Sequence, residues 1–368
     1  MKTIVILTDQ LHKIGGINSL IQLKANHWAT KKGYEVHVVT TEQAGNRPFY
    51  DFDPKVGLHD LNINYDRAQS YFGKENFPKV AQNLRALQKL ERKLKPNLII
   101  IANHIPVTFF FPLLRTKAKI LKEYHYTQYF RSKQSITLFK RFEKLIESKL
   151  DFQVVLNKEE KSFYDSNKIF HIPNPIPFSS LEQPEFGKRE KIAMAAGRIS
   201  PVKRFHVLLE IWSKFKKNDT QWKLEIYGDG PDNEMESLND QIRELGIMDS
   251  VQILQPVHNL PEIMRTRGIY LMTSEQECFP MVLLEAQASG LPLISFDCPT
   301  GPRNIVQSGK NGMLVEMDNQ DSFVNTIIKL TSDEDLRLEV AKNAFQSVQQ
   351  YLLDNVMQSW EDNILSKI

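Results

Sequence analysis

Short, uninterrupted apolar runs alternate along this chain with longer segments whose apolar residues recur every three or four positions. Ile4, Val5, Ile6 and Leu7 form the first run and read as a buried strand. Gly15-Gly16 then predicts a turn, and Leu20, Leu23, Ala25 and Trp28 predict a helix that ends at Gly33. A second strand is expected over residues 36–40 and a helix over 78–94, carried by Val80, Leu84, Leu87, Leu90 and Leu94. Pro96 stops that helix, and Leu98, Ile99, Ile100 and Ile101 form another continuous run. Runs of this kind suit a parallel sheet covered on both faces.

The rhythm breaks at Asn174-Pro175-Ile176-Pro177-Phe178 and the polar stretch through Pro184 and Gly187 to Glu190, which read as a linker. It then restarts. Strands are expected at 192–195, 224–227, 251–254, 269–272 and 293–296, with helices at 205–215, 233–245 and 281–289. The predicted fold class is α/β, with two doubly wound, Rossmann-like domains facing a cleft, over residues 1–175 and 176–350. Tyr351, Leu352, Val356, Trp360 and Ile364 give the remaining 351–368 a helical apolar stripe, able to pack locally or cross back to the first domain.

Composition narrows the class without naming a function. The 368 residues are 41% hydrophobic and 25% charged, ordinary for a globular chain, and the net charge of +3 demands no nucleic acid. Two cysteines, Cys278 and Cys298, argue against a disulfide framework or structural zinc. The run at 98–114 is broken by Asn103, His104, Pro106 and Pro112, so it does not supply the ~20 apolar residues of a membrane span. The start of the chain carries no small-residue cleavage site, so a cytoplasmic location is expected, with any membrane contact peripheral.

Candidate chemistry falls where strands give way to helices, the ligand-facing edge of an open α/β sheet. The segment Ser274-Glu275-Gln276-Glu277-Cys278-Phe279-Pro280-Met281 follows a strand and opens a helix containing Glu285. Such a helix start offers free backbone N–H groups to an anion. Two glutamates at this spacing are also compatible with an ordinary solvated surface. Gly197-Arg198 and Lys203 follow another strand: a glycine for close approach, a planar guanidinium fork and a point charge, all suited to phosphate oxygens. Tyr227-Gly228-Asp229-Gly230-Pro231 lacks the spacing of a dinucleotide fingerprint and reads as a structural turn. In the first half, Gly15-Gly16 and His104 occupy equivalent post-strand positions, and His125 is a weaker candidate.

Taken together these segments resemble the GT-B-fold retaining glycosyltransferases of family 4, of the bacterial type that builds surface polysaccharides or glycolipids. The resemblance extends to Ile172-Pro173-Asn174-Pro175, Ser289-Gly290-Leu291-Pro292, Asn311-Gly312 and the 296–305 segment. It implies an acceptor-side first domain and a second domain that binds a nucleotide-sugar donor, UDP-linked by preference. Arg198 and Lys203 would hold the diphosphate and stabilise the leaving nucleotide. Glu285 would accept from the ribose hydroxyls, and Glu277 would contact the transferred sugar. Cys278, Phe279, Pro280 and Met281 would line sugar and phosphate. His104 would stand near the reacting face, and Gly15, Gly16 and Gly197 would admit the donor closely. No cofactor or metal is implied, because the basic pair fills that role. Cys278 departs from the glycine common among relatives, which leaves the sugar open. The expected partners are the donor and a glycan or lipid-linked acceptor. Arg115, Lys117, Lys119, Lys122, Arg131, Lys133, Lys140, Arg141, Lys144 and Lys149, with Phe109, Phe110, Phe111, Tyr124, Tyr126, Tyr129 and Phe130, suggest peripheral contact with anionic lipid, at the membrane's inner face. The same run also fits a solvated basic face. A nicotinamide oxidoreductase lacks its glycine fingerprint here. A nucleotide-sugar epimerase or a phosphorylase on the same fold is the nearer rival.

Overall fold

Thirteen strands among the described residues are parallel throughout, and they divide into two sheets. The computed structural model describes residues 1–71, 73–132, 137–164, 167–178, 180–257 and 259–368. The first sheet comprises β1 (Thr3–Leu7), β2 (Glu35–Thr40), β3 (Val56–Asp60), β4 (Leu98–Ile101), β5 (Lys119–Tyr124), β6 (Phe152–Val155) and β7 (Ile169–His171). The second comprises β8 (Ile192–Ala196), β9 (Lys223–Tyr227), β10 (Val251–Leu254), β11 (Ile269–Met272), β12 (Leu293–Phe296) and β13 (Met313–Val315). Contacts partition the chain into Met1–Pro177 with Leu353–Ile368, and Phe178–Leu352, each holding one sheet.

The strand orders are β3-β2-β1-β4-β5-β6-β7 and β10-β9-β8-β11-β12-β13. In each sheet the order grows outward in both directions from a central pair, β1/β4 or β8/β11. That reversal is the topological switch point, where strand-end loops diverge and leave a crevice. The apolar runs are central because only strands covered on both faces can be uniformly apolar: β1, β4, β11 and β12 are buried at every position.

Helices supply the covering layers. In the first unit Trp28, from the helix Gly16–Lys31, meets Trp360 edge-to-face at 5.6 Å. Trp360 belongs to the helix Leu353–Asn363, whose Val356 and Met357 join the core of β1, β2 and β4. In the second unit Trp212 and Phe215 of the helix Phe205–Lys216 sit fully buried against β8 and β9. Phe186, in the stretch read as linker, packs so closely on Gly290 (φ +60°) that a Cβ there would lie 2.7 Å from its ring.

Part of the expected lipid-facing surface is interior instead. Phe109, Phe110 and Phe111 are buried in the helical turns that follow β4, and Lys122 and Tyr124 are buried because β5 lies inside the sheet between β4 and β6. Lys119 pairs with Asp151 at 2.9 Å. Lys133 and the Arg131 side chain lie outside the described residues.

Candidate functional site

In the second unit the loops after β8 and β11 are built onto one another. Beyond β8, Gly197 N–H donates to the Tyr227 carbonyl at 3.0 Å and Ile199 N–H to the Asp229 carbonyl at 2.7 Å. A Cβ on Gly228 would lie 2.1 Å from the Gly197 oxygen, and one on Gly230 would lie 2.3 Å from the Ile199 oxygen. The Tyr227–Pro231 turn is therefore a buttress whose glycines let it press against the Gly197-Arg198 backbone. Past that backbone come a short 3₁₀ turn, Pro201–Lys203, and a left-handed Arg204 (φ 53°) that starts the next helix. From the β11 side, Thr273 Oγ1 donates to the carbonyls of Lys203 (3.2 Å) and Arg204 (3.1 Å). Glu275 N–H reaches the Val202 carbonyl at 2.8 Å.

Glu277 is fixed by its own backbone. Its N–H donates to Pro299, and its carbonyl accepts from Thr300 (3.0 Å) and Gly301 (2.8 Å). Gly301 has no room for a side chain, since a Cβ would lie 2.7 Å from Pro280 Cδ. Cys278, Phe279 and Pro280 are buried, with the Phe279 ring edge-on to Tyr351 at 5.7 Å. The helix Met281–Ala288 then begins without a side-chain cap, so its first turn has orphan N–H donors beside Glu277.

These loops bring the basic and acidic candidates together. Lys203 Nζ lies 2.6 Å from Glu277 Oε1, both side chains being mostly buried. Arg198 is exposed and has no ion-pair partner among the described residues. Glu285 differs from both. Its half-buried carboxylate has no hydrogen-bond or ion-pair partner among the described residues, and burial alone pushes its pKa up to about 7. A half-buried carboxylate with no protein partner is open to hydrogen bonds from a ligand's hydroxyl groups.

The first unit's switch point carries the other candidates. Gly15 and Gly16 open the helix Gly16–Lys31 without a side-chain cap, and a Cβ on either would meet nothing within 4 Å. No neighbour therefore requires glycine at either position. Asn103, after β4, ties the two central strands together by donating to Thr8 Oγ1 (3.0 Å) and Asp9 Oδ1 (2.8 Å). His104 is exposed and edge-on to Phe109 at 5.3 Å, and it lines a pocket of about 430 Å³ with Arg67, Tyr71 and Phe139.

A buried cluster behind this loop was not legible in the sequence. Lys24 pairs with Glu123, and Glu123 Oε2 lies 2.9 Å from His125 Nε2, while His125 Nδ1 is buried without a partner among the described residues. Burial by itself would raise the Glu123 carboxyl, but Lys24 and His125 outweigh it and hold the pKa at about 2. Lys122, on the opposite face of β5, donates to the Asn103 carbonyl, and burial lowers its amine to about 7. Lys24 stands 99 residues from Glu123, so no local spacing signals the pairing. Among the described residues no group of three or more His, Cys, Asp or Glu is placed to hold a metal ion.

Two parallel sheets of this order are those of the GT-B fold. Residues 179–347 match the family Glycosyl transferases group 1. The matched segment lies within the unit Phe178–Leu352, and the similarity to group 1 glycosyltransferases is carried by that unit. The chain is 27% identical over 369 residues to an uncharacterized glycosyltransferase of Haemophilus influenzae, covering 98% of this chain and 99% of the relative. It is 32% identical over 218 residues to the amylovoran biosynthesis glycosyltransferase AmsD of Erwinia amylovora, 57% of this chain and 60% of that one. The crystal structure of an S. aureus TarM mutant in complex with fondaparinux, alpha-GlcNAc-glycerol and UDP shares the fold, with a TM-score of 0.78 over 99% of both chains at 16% identity.

Proposed function

We propose that this protein moves a hexose or N-acetylhexosamine from a UDP-sugar, with retention at the anomeric carbon as in family 4, to a glycan or lipid-linked acceptor in surface-polysaccharide biosynthesis. The observation that carries the proposal is the arrangement at the β8/β11 switch point. Lys203 is held against Glu277, Arg198 is unneutralised, and the unpartnered Glu285 lies one helical segment further on.

In this reading Arg198, Lys203 and the N–H groups before and at Met281 receive the diphosphate. The sugar C1–O bond breaks with its electron pair moving onto the β-phosphate, and the two cations stabilise the charge that develops there. The acceptor hydroxyl oxygen bonds to C1 from the same face, and its proton passes to the departing phosphate oxygen. Glu285 takes hydrogen bonds from the ribose, and Glu277 takes them from the sugar hydroxyls. Cys278, Phe279 and Pro280 shape the sugar side. Gly15, Gly16 and Gly197 leave space for the donor, and His104 stands near the sugar's reacting face. The cations make a metal unnecessary. UDP in the TarM complex and amylovoran in the name of AmsD support the donor and the pathway. Action at the inner face of the cytoplasmic membrane follows from a lipid-linked acceptor, and no helix among the described residues is long and apolar enough to cross a membrane.

The test is a screen of UDP-hexoses and UDP-N-acetylhexosamines for UDP release, with chelator present, against oligosaccharide and polyprenyl-linked acceptors. Acceptor-dependent release with an unchanged anomeric configuration supports the proposal. Interconversion of the donor sugar without release refutes it in favour of an epimerase.

A further inference from the structure

The helix Leu138–Glu147 is turned inside out relative to an ordinary surface helix. Such helices bury their apolar stripe and expose their charges. Here Leu138 is 82% exposed, Leu145 60% and Phe142 43%, and the helix buries no residue fully. The half-buried positions are Lys140, Glu143, Ile146 and Glu147, at the three-to-four spacing of a single helix face. Both acids of the helix are thus turned toward the unit, and Glu147 accepts from Tyr124 Oη at 2.9 Å. The outward face carries Leu138, Phe142 and Leu145 beside the exposed Arg141 and Lys144, and no acid.

Soluble surfaces rarely gather large apolar side chains in one place. An apolar stripe flanked only by cations matches a helix lying in the headgroup plane of an anionic bilayer, apolar side down and cations against phosphates. The inner side of the same helix borders the His104 region: Glu143, Ile146 and Glu147 line a small pocket with His104, Thr108 and Phe109. We propose that Leu138–Glu147 is an interfacial anchor that seats this unit on an anionic lipid surface and holds the His104 pocket next to it, where a lipid-borne acceptor would present its hydroxyl. The seating stands on the helix alone, and only its link to the acceptor rests on the function proposed above.

The test uses the full chain, without donor, and vesicles of phosphatidylglycerol mixed with phosphatidylcholine, set against vesicles of phosphatidylcholine alone. Cosedimentation is expected with the anionic vesicles only, weakening with salt. Arg141→Gln with Lys144→Gln should lower partitioning on the order of thirtyfold, from the attraction of two cations near such a surface. Leu138→Ser with Phe142→Ser and Leu145→Ser should lower it about tenfold or more, with circular dichroism unchanged because none of the three is in the core. Absence of binding to anionic vesicles, or binding that neither set of changes weakens, overturns the proposal. A triple variant that turns a dimer into a monomer also overturns it, since the apolar face would then bind a second copy. Because no nucleotide is present, failure here leaves the donor reading intact, and failure of the donor screen leaves this result intact.

Discussion

Glu285→Gln separates what the protein needs to fold from what it needs to work. The Glu285 carboxyl ionises near 4.5 in an unfolded chain and near 7 in the folded apo protein, because burial disfavours its charged form. Between those values the folded state holds the extra proton, so stability falls as pH rises and then levels off above about 7. The gap corresponds to roughly 3 kcal/mol at pH 8, taken as an upper figure because the side chain keeps some access to water. Glutamine has nearly the same shape and no charge to desolvate. The variant should therefore be more stable than the parent at pH 8, by up to about 6–12 °C in Tm for a unit of this size. The two should converge near pH 4.5. In the same variant UDP affinity should fall, since an amide replaces the acceptor proposed for the ribose hydroxyls, and a hydrogen bond to a charged group is worth about 1.5–3 kcal/mol. Thermal unfolding from pH 4.5 to 8, followed by titration calorimetry with UDP, measures both effects. A variant no more stable than the parent at pH 8 would refute the desolvation argument. Unaltered UDP affinity would remove the ribose role.

Two further substitutions probe the other buried charges. Lys203→Ala removes the partner of Glu277 and a proposed phosphate ligand, and should lower turnover by about 10²–10³-fold while leaving the fold intact; an unchanged rate in a donor-hydrolysis or transfer assay counts against the assignment. Lys24→Met leaves Glu123 buried with only His125 beside it, and should cost about 3–5 kcal/mol in denaturant unfolding at neutral pH. Because the Glu123 pKa is held at about 2, that loss should shrink as pH falls from 4.5 toward 2, where the parent forfeits the same interaction.

The central strands were legible because nothing interrupts them: β1, β4, β11 and β12 are unbroken apolar runs, and burial on both faces requires that. β5 was not legible. Lys122 and Glu123 interrupt its apolar run and make it look like surface, yet both are buried because Asn103 and Lys24 supply partners distant in sequence. That misled the reading of the basic segment as well. Lys122 counts toward a lipid-facing surface by composition, whereas the helix Leu138–Glu147 presents its outward cations by geometry. β3 was missed for a different reason: it is a five-residue strand at the sheet edge in which only Val56 is buried, so it carries no apolar run.

For the site, strand-then-loop context marked Gly197, Arg198, Lys203, Glu277 and Glu285. Which of them meet could not be read from spacing. Lys203 and Glu277 are 74 residues apart and touch because β8 and β11 are neighbours in the sheet. The isolation of Glu285 is a property of its surroundings and leaves no mark in the sequence. The Tyr227–Pro231 turn read correctly as structural, and the contacts of Gly228 and Gly230 show what it supports.

The most direct test of nucleotide-sugar chemistry at the β8/β11 switch point is a thermal-shift comparison of the purified protein with UDP, GDP, ADP and NAD, with chelator present. A ligand that binds only the folded state raises the unfolding midpoint. The arrangement of Arg198, Lys203, Glu277 and Glu285 predicts a clear rise with UDP and none with NAD. A rise with NAD and none with any nucleoside diphosphate would contradict it.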